Sequence, residues 1–129
     1  MVLVKPNSEQ HAFLEALRSE VLEKMHSMPM FRLVSFSVVE DVPLGVLRSN
    51  ATQRHGVTRW TVETSGELLV DVVDLHPALL NAEWRDYALF VLFHEFLHVL
   101  GHRAHDARFR SMEAQWPDSI GASRGKAFT

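Results

Sequence analysis

The run His94-Glu95-Phe96-Leu97-His98 stands inside an apolar stretch, Tyr87-Ala88-Leu89-Phe90-Val91-Leu92-Phe93 before it and Val99-Leu100 after it. Apolar residues on nearly every position over more than three turns predict a helix buried on most of its surface. Polar groups in such a helix are costly unless something satisfies them. Two histidines four residues apart differ by about 40° around a helix and about 6 Å along it, so both imidazoles reach one ion on the same face. Glu95 lies one step round from His94, where its carboxylate can touch a water on that ion without ligating it. This is the arrangement a hydrolytic general base needs.

Hydrolytic zinc sites take three protein ligands and leave a fourth position for water. His102 continues the four-residue series, but three ligands spread over two turns span about 12 Å, too far for metal–nitrogen bonds of about 2 Å. His105 is better placed: Gly101 can take a positive φ, end the helix and let the chain fold back towards the two-histidine face. His94, His98 and His105 are therefore the expected metal ligands and Glu95 the expected catalytic residue. Glu113 and Asp118 are the carboxylate alternatives for the third position. His11, His26, His55 and His76 read as surface or internally satisfied histidines, and Trp60 and Trp84 as packing aromatics outside the site.

The chain has 129 residues, 47% of them hydrophobic, enough for one core and one domain over 1–129, with 1–7 and 118–129 expected to be flexible termini. It has no cysteine, which removes disulfides and thiolate metal sites and fits a reducing compartment. The first six residues are too short for a secretory signal, and charges interrupt the apolar stretch at 87–100 before it could span a bilayer. A soluble, cytoplasmic protein without membrane contact is expected. A net charge of −3 argues against dominant nonspecific nucleic-acid affinity. After the motif, Arg103, Arg108, Arg110, Arg124 and Lys126 outnumber Asp106, Glu113 and Asp118. A solvated face with a basic tail is the simpler account of this, and DNA contact the alternative.

Along the chain, residues 8–26 have helical spacing at Phe13, Leu14, Leu17, Val21 and Leu22, with Asn7 or Ser8 as cap and Pro29 as stop. Phe31 to Val39 alternates, with Val34, Phe36 and Val38 on one side, and predicts a half-buried strand. Val46 to Thr52 and Gly56 to Glu63 are weaker strand candidates. Thr64-Ser65-Gly66 then turns the chain into Glu67 to Leu75, so that Val57–Val62 and Leu68–Leu75 form an antiparallel hairpin. Asn81 is the expected cap of the motif helix. A last helix is expected from Asp106 to Gln115, packed by Phe109 and Met112 and ending before Pro117.

His94-Glu95-Phe96-Leu97-His98 followed by His105 and Phe109 resembles the H-E-x-x-H…H…F signature of SprT-like and WLM-type metalloproteases, the Spartan-like zincins. The strand Glu67–Leu75 and the His76-Pro77-Ala78-Leu79-Leu80 lead-in resemble what precedes the metal helix there, and the likeness covers roughly residues 31–117. Gly101 also makes the motif similar to the metzincin pattern, but that pattern places its third histidine where Ala104 stands. The chain departs from many SprT-like proteins in lacking the cysteines of a zinc ribbon.

The resemblance implies a single α+β zincin-like domain: an N-terminal helix, a small antiparallel sheet of three to four strands on the HExxH helix, and a short C-terminal helix. It also implies action on DNA-associated proteins. The residues themselves point to a hydrolytic zinc site without showing its substrate, and the leading expectation is a zinc-dependent peptidase acting on a protein or peptide. The alternatives are a metal-dependent hydrolase of another substrate such as a nucleotide phosphate, or a non-catalytic zinc-stabilised binding module.

Overall fold

The computed structural model describes residues 4–128. Helix α1 (Ser8–His26) buries Leu14, Leu17, Val21 and Met25 completely, one residue per turn along a single stripe. Asn7 starts it as half of a capping box: its Oδ1 accepts from the Gln10 N–H at 2.7 Å, and the Gln10 side chain accepts from the Asn7 N–H at 3.0 Å. The chain is thus anchored from Asn7 onward, and residues 1–3 of the expected flexible start lie outside the described residues. Asn7→Ala should lower unfolding free energy by about 1 kcal/mol, read as a reduced urea midpoint at unchanged m-value.

The strand expected over 31–39 is not formed. Pro29–Phe31 makes a 3-10 turn and α2 (Ser37–Asp41) a short helix. What decides this is spacing: Phe36, Val39 and Val42 point inward three residues apart, while Val34 and Val38 are exposed. Arg18, itself buried on α1, donates to the Val39 and Glu40 carbonyls at 2.8 and 3.0 Å and so satisfies the end of α2.

Strands β1 (Leu44–Val46), β2 (Gly56–Val62) and β3 (Leu68–Leu75) form one sheet in the order β1-β3-β2. The expected hairpin is present: β2 and β3 are antiparallel with Val62 opposite Leu68 and Gly56 opposite Leu75, and Gly66 turns the chain at φ 85°. The sheet is mixed, correcting the all-antiparallel expectation, because β1 runs parallel to β3, Leu44 opposite Val73. The strand expected at Val46–Thr52 is not formed beyond Val46: the strand lies earlier, at Leu44–Val46, and the chain then turns through an Ala51 N–H bond to the Arg48 carbonyl.

Helix α3 (Arg85–Val99) packs against α1 and against β2 and β3. Leu92, Phe93, Phe96 and Leu97 are fully buried on it. Asn81 does not cap it directly. It accepts from the Trp84 N–H at 3.0 Å and donates to the Ala78 carbonyl, closing the turn before Trp84, the capping position. Helix α4 (Ala107–Glu113) follows with Asp106 as its N-cap, its side chain accepting from Phe109 N–H at 2.9 Å.

Residues 118–128 are not a free tail. They form α5 (Ser119–Ala122) and α6 (Gly125–Phe128). The Phe128 ring lies edge-on to His55, His76 and Trp84 and tilted against Tyr87, and Arg124 covers the Trp84 ring and pairs with Asp86. Among the described residues no helix is long and apolar enough to cross a membrane.

Candidate metal centre

α3 presents His94 and His98 on one face, as the four-residue spacing requires. Gly101 ends the helix at φ 109°, with its N–H bonded to the His98 carbonyl and the His102 N–H to that of Leu97. The chain then folds back and brings His105 to the pair. One nitrogen from each of the three rings lies within 4.8 Å of the others, and the Nε2 atoms of His98 and His105 are 3.0 Å apart. Two ligand nitrogens on a tetrahedral ion at about 2.05 Å would be about 3.3 Å apart, so this separation fits a shared cation.

The partners of the other ring nitrogens support the same reading. His94 Nδ1 is 2.6 Å from Glu113 Oε2, and His98 Nδ1 is 2.8 Å from the His102 carbonyl. Both contacts require Nδ1 to donate, which leaves the Nε2 lone pairs facing the centre. Burial, with smaller effects from His94 and His105, also lowers the His98 pKa, favouring its neutral, ligating form. Phe109 forms the floor: it is fully buried, with its ring centroid 4.9, 4.8 and 5.0 Å from those of His94, His98 and His105.

Glu95 is buried beside the cluster. Thr58 Oγ1 donates to its Oε1 at 2.8 Å, while Oε2 lies 3.8 Å from His94 Nε2. Burial pushes its carboxyl above the ordinary range, Glu113 adds to the rise, and His94 and the Thr58 hydrogen bond oppose it. Gly56 lets β2 approach this closely, since a Cβ there would stand 2.7 Å from Val91 and 3.2 Å from the Glu95 Cγ. The cluster opens into a cleft of about 550 Å³ walled by Val57, Trp60, Tyr87, Phe90 and Val91.

The structure therefore brings together all four residues singled out as the site: His94, Glu95, His98 and His105. The carboxylate alternatives have other roles. Glu113 orients His94, and Asp118 caps α5 by accepting from the Gly121 N–H. His102 contributes its carbonyl, not its ring. His55 and His76 are internally satisfied as expected, through Tyr87 Oη at 2.6 Å and the Ala51 carbonyl at 3.0 Å. Thr58 carried no sequence signal, since a threonine in a strand is ordinary. Trp60, expected only to pack the sheet, is part of the cleft wall.

Removing the Glu113 carboxylate should weaken metal binding without removing a ligand. Glu113→Ala is expected to lower affinity about 10–100-fold, measured by competition with a chromophoric chelator. Unchanged affinity would mean that the contact does not orient His94.

Compared with protein-family models, curated proteins and solved structures, the chain matches no family model, no curated protein and no solved structure.

Proposed function

We propose that the protein is a zinc-dependent metallopeptidase with a zincin-like active site. The observation that carries this is the convergence of His94, His98 and His105 with the buried Glu95 carboxylate on their cleft side. Zinc held by the three imidazoles would lower the pKa of a coordinated water and polarise a carbonyl. Glu95 supplies the proton traffic: Thr58 holds Oε1, so Oε2 accepts the proton and returns it to the leaving amine. Glu113 and the His102 carbonyl keep His94 and His98 oriented.

β2 is an edge strand of the sheet and runs beside the cluster, so its outer backbone groups can receive an extended peptide by strand addition. A structural zinc site would have four protein ligands, whereas among the described residues the cluster contains three.

The direct test is cleavage of an unfolded protein by purified protein. Activity should vanish on chelation and return with one equivalent of zinc. Nucleotide hydrolysis without proteolysis would replace this reading with the phosphohydrolase. Action on DNA-associated proteins rests on the SprT-like resemblance. Arg110 and Arg124 of the basic segment are held by the His105 carbonyl and by Glu83 and Asp86. Stimulation of cleavage by DNA at low salt would support that refinement.

A further inference from the structure

The cleft carries a charge pattern that the chemistry of hydrolysis does not need. Apart from the buried Glu95, its ionised side chains are Arg54 and Arg103. Four arginines are paired with carboxylates, Arg18 with Glu15, Arg59 with Asp74, Arg85 with Glu20 and Arg124 with Asp86, and among the described residues Arg32, Arg48, Arg108 and Arg110 outside the cleft are not. Arg54 and Arg103 have no carboxylate partner among the described residues. Arg103 is nevertheless held in place, its guanidinium 5.7 Å from the centroid of the Trp60 ring. A cation over an aromatic face keeps its charge and its outward N–H donors available to a further anion.

Position along β2 says what that anion is attached to. Thr58, which holds Glu95, is two residues from Trp60, about 6.6 Å along a strand. Arg54 lies two residues before β2 begins, on the opposite side of Thr58. An extended chain laid on the edge of β2 with its reacting carbonyl at Glu95 would bring a neighbouring side chain to the Trp60–Arg103 pair.

We propose that Trp60 and Arg103 form a specificity subsite for an acidic side chain of an extended peptide, with Arg54 extending the preference across the cleft. The substrate class is thus an acidic peptide segment. This deepens the metallopeptidase reading and rests on it. A peptide is favoured over a polynucleotide because Val57, Phe90 and Val91 give the same cleft apolar walls.

The test uses the zinc-loaded full chain and short fluorescent peptides that carry Glu, Gln or Lys at each position flanking the cleaved bond. The wild type reports kcat/KM, and a Glu95→Gln protein reports Kd by anisotropy. At one flanking position, Glu should be preferred over Lys by about tenfold in both measurements, less at high salt. Arg103→Glu should invert the ratio and Arg103→Lys should keep its direction. Cleavage without selectivity, or a ratio unmoved by Arg103→Glu, overturns the subsite and leaves the peptidase standing. Acid-selective binding with no cleavage by the wild type supports the subsite and removes the peptidase. Displacement of the acidic peptide by a single-stranded oligonucleotide at far lower concentration than by unlabelled peptide overturns the assignment in favour of nucleic acid.

Discussion

Glu95→Gln is expected to lower kcat on an unfolded protein substrate by about 10²–10⁴-fold while the protein still takes up one zinc per chain. Glutamine preserves the shape of the side chain, and its amide oxygen can still accept from the Thr58 hydroxyl that now meets Oε1 at 2.8 Å. What it lacks is the basic Oε2 beside His94. The three ligand rings are held by Glu113, by the His102 carbonyl and by the Phe109 floor, none of which depends on the Glu95 charge. Metal content by mass spectrometry and turnover should therefore separate. A variant as active as wild type would remove Glu95 from the reaction. A variant that lost zinc would instead make Glu95 part of the coordination.

The contrast between this residue and Thr58 shows which parts of the site a single sequence carries. His94, Glu95 and His98 lie within five residues, so helix geometry alone relates them. His105 was reachable because the helical rise excludes His102 and a glycine intervenes, and Gly101 does take a positive φ. Thr58 meets Glu95 from 37 residues away, and no local pattern encodes that approach. Glu113 is legible as a carboxylate alternative for the third ligand, but only the fold sets its carboxylate against His94 Nδ1 instead of at the centre.

The fold divides the same way. The α1 cap and the β2–β3 hairpin are written in neighbouring residues and form as expected. The segment at 31–41 offered two periods at once, and Arg18 on a distant turn of α1 settles the helical one by bonding the Val39 and Glu40 carbonyls. β1 is three residues long, and its parallel register with β3 depends on the sheet already being present. The last eleven described residues lack any long apolar run, yet Phe128 finds His55, His76, Trp84 and Tyr87, partners that lie far apart in the chain.

Phe109→Ala should be the most destabilising single change near the site, lowering unfolding free energy by about 3–5 kcal/mol. Phe109 is fully buried and comes from α4, yet its ring packs on three histidines contributed by α3 and by the loop after it. Truncation removes packing for the core and for the metal ligands together. For a chain of this length the loss corresponds to a drop of about 10–20 °C in Tm, measured by calorimetry on the metal-free protein. Phe109→Leu keeps most of the volume and should recover most of that stability. The metal provides the sharper discrimination, because a ligand that binds only the folded state stabilises it by about 2.7 kcal/mol at a hundred times its Kd. Wild type should thus gain Tm on zinc addition, and Phe109→Ala should gain much less, since its imidazoles are no longer held at ligating distance. An equal zinc-induced gain in both proteins would show that Glu113 and the His102 carbonyl position the ligands without the ring beneath them.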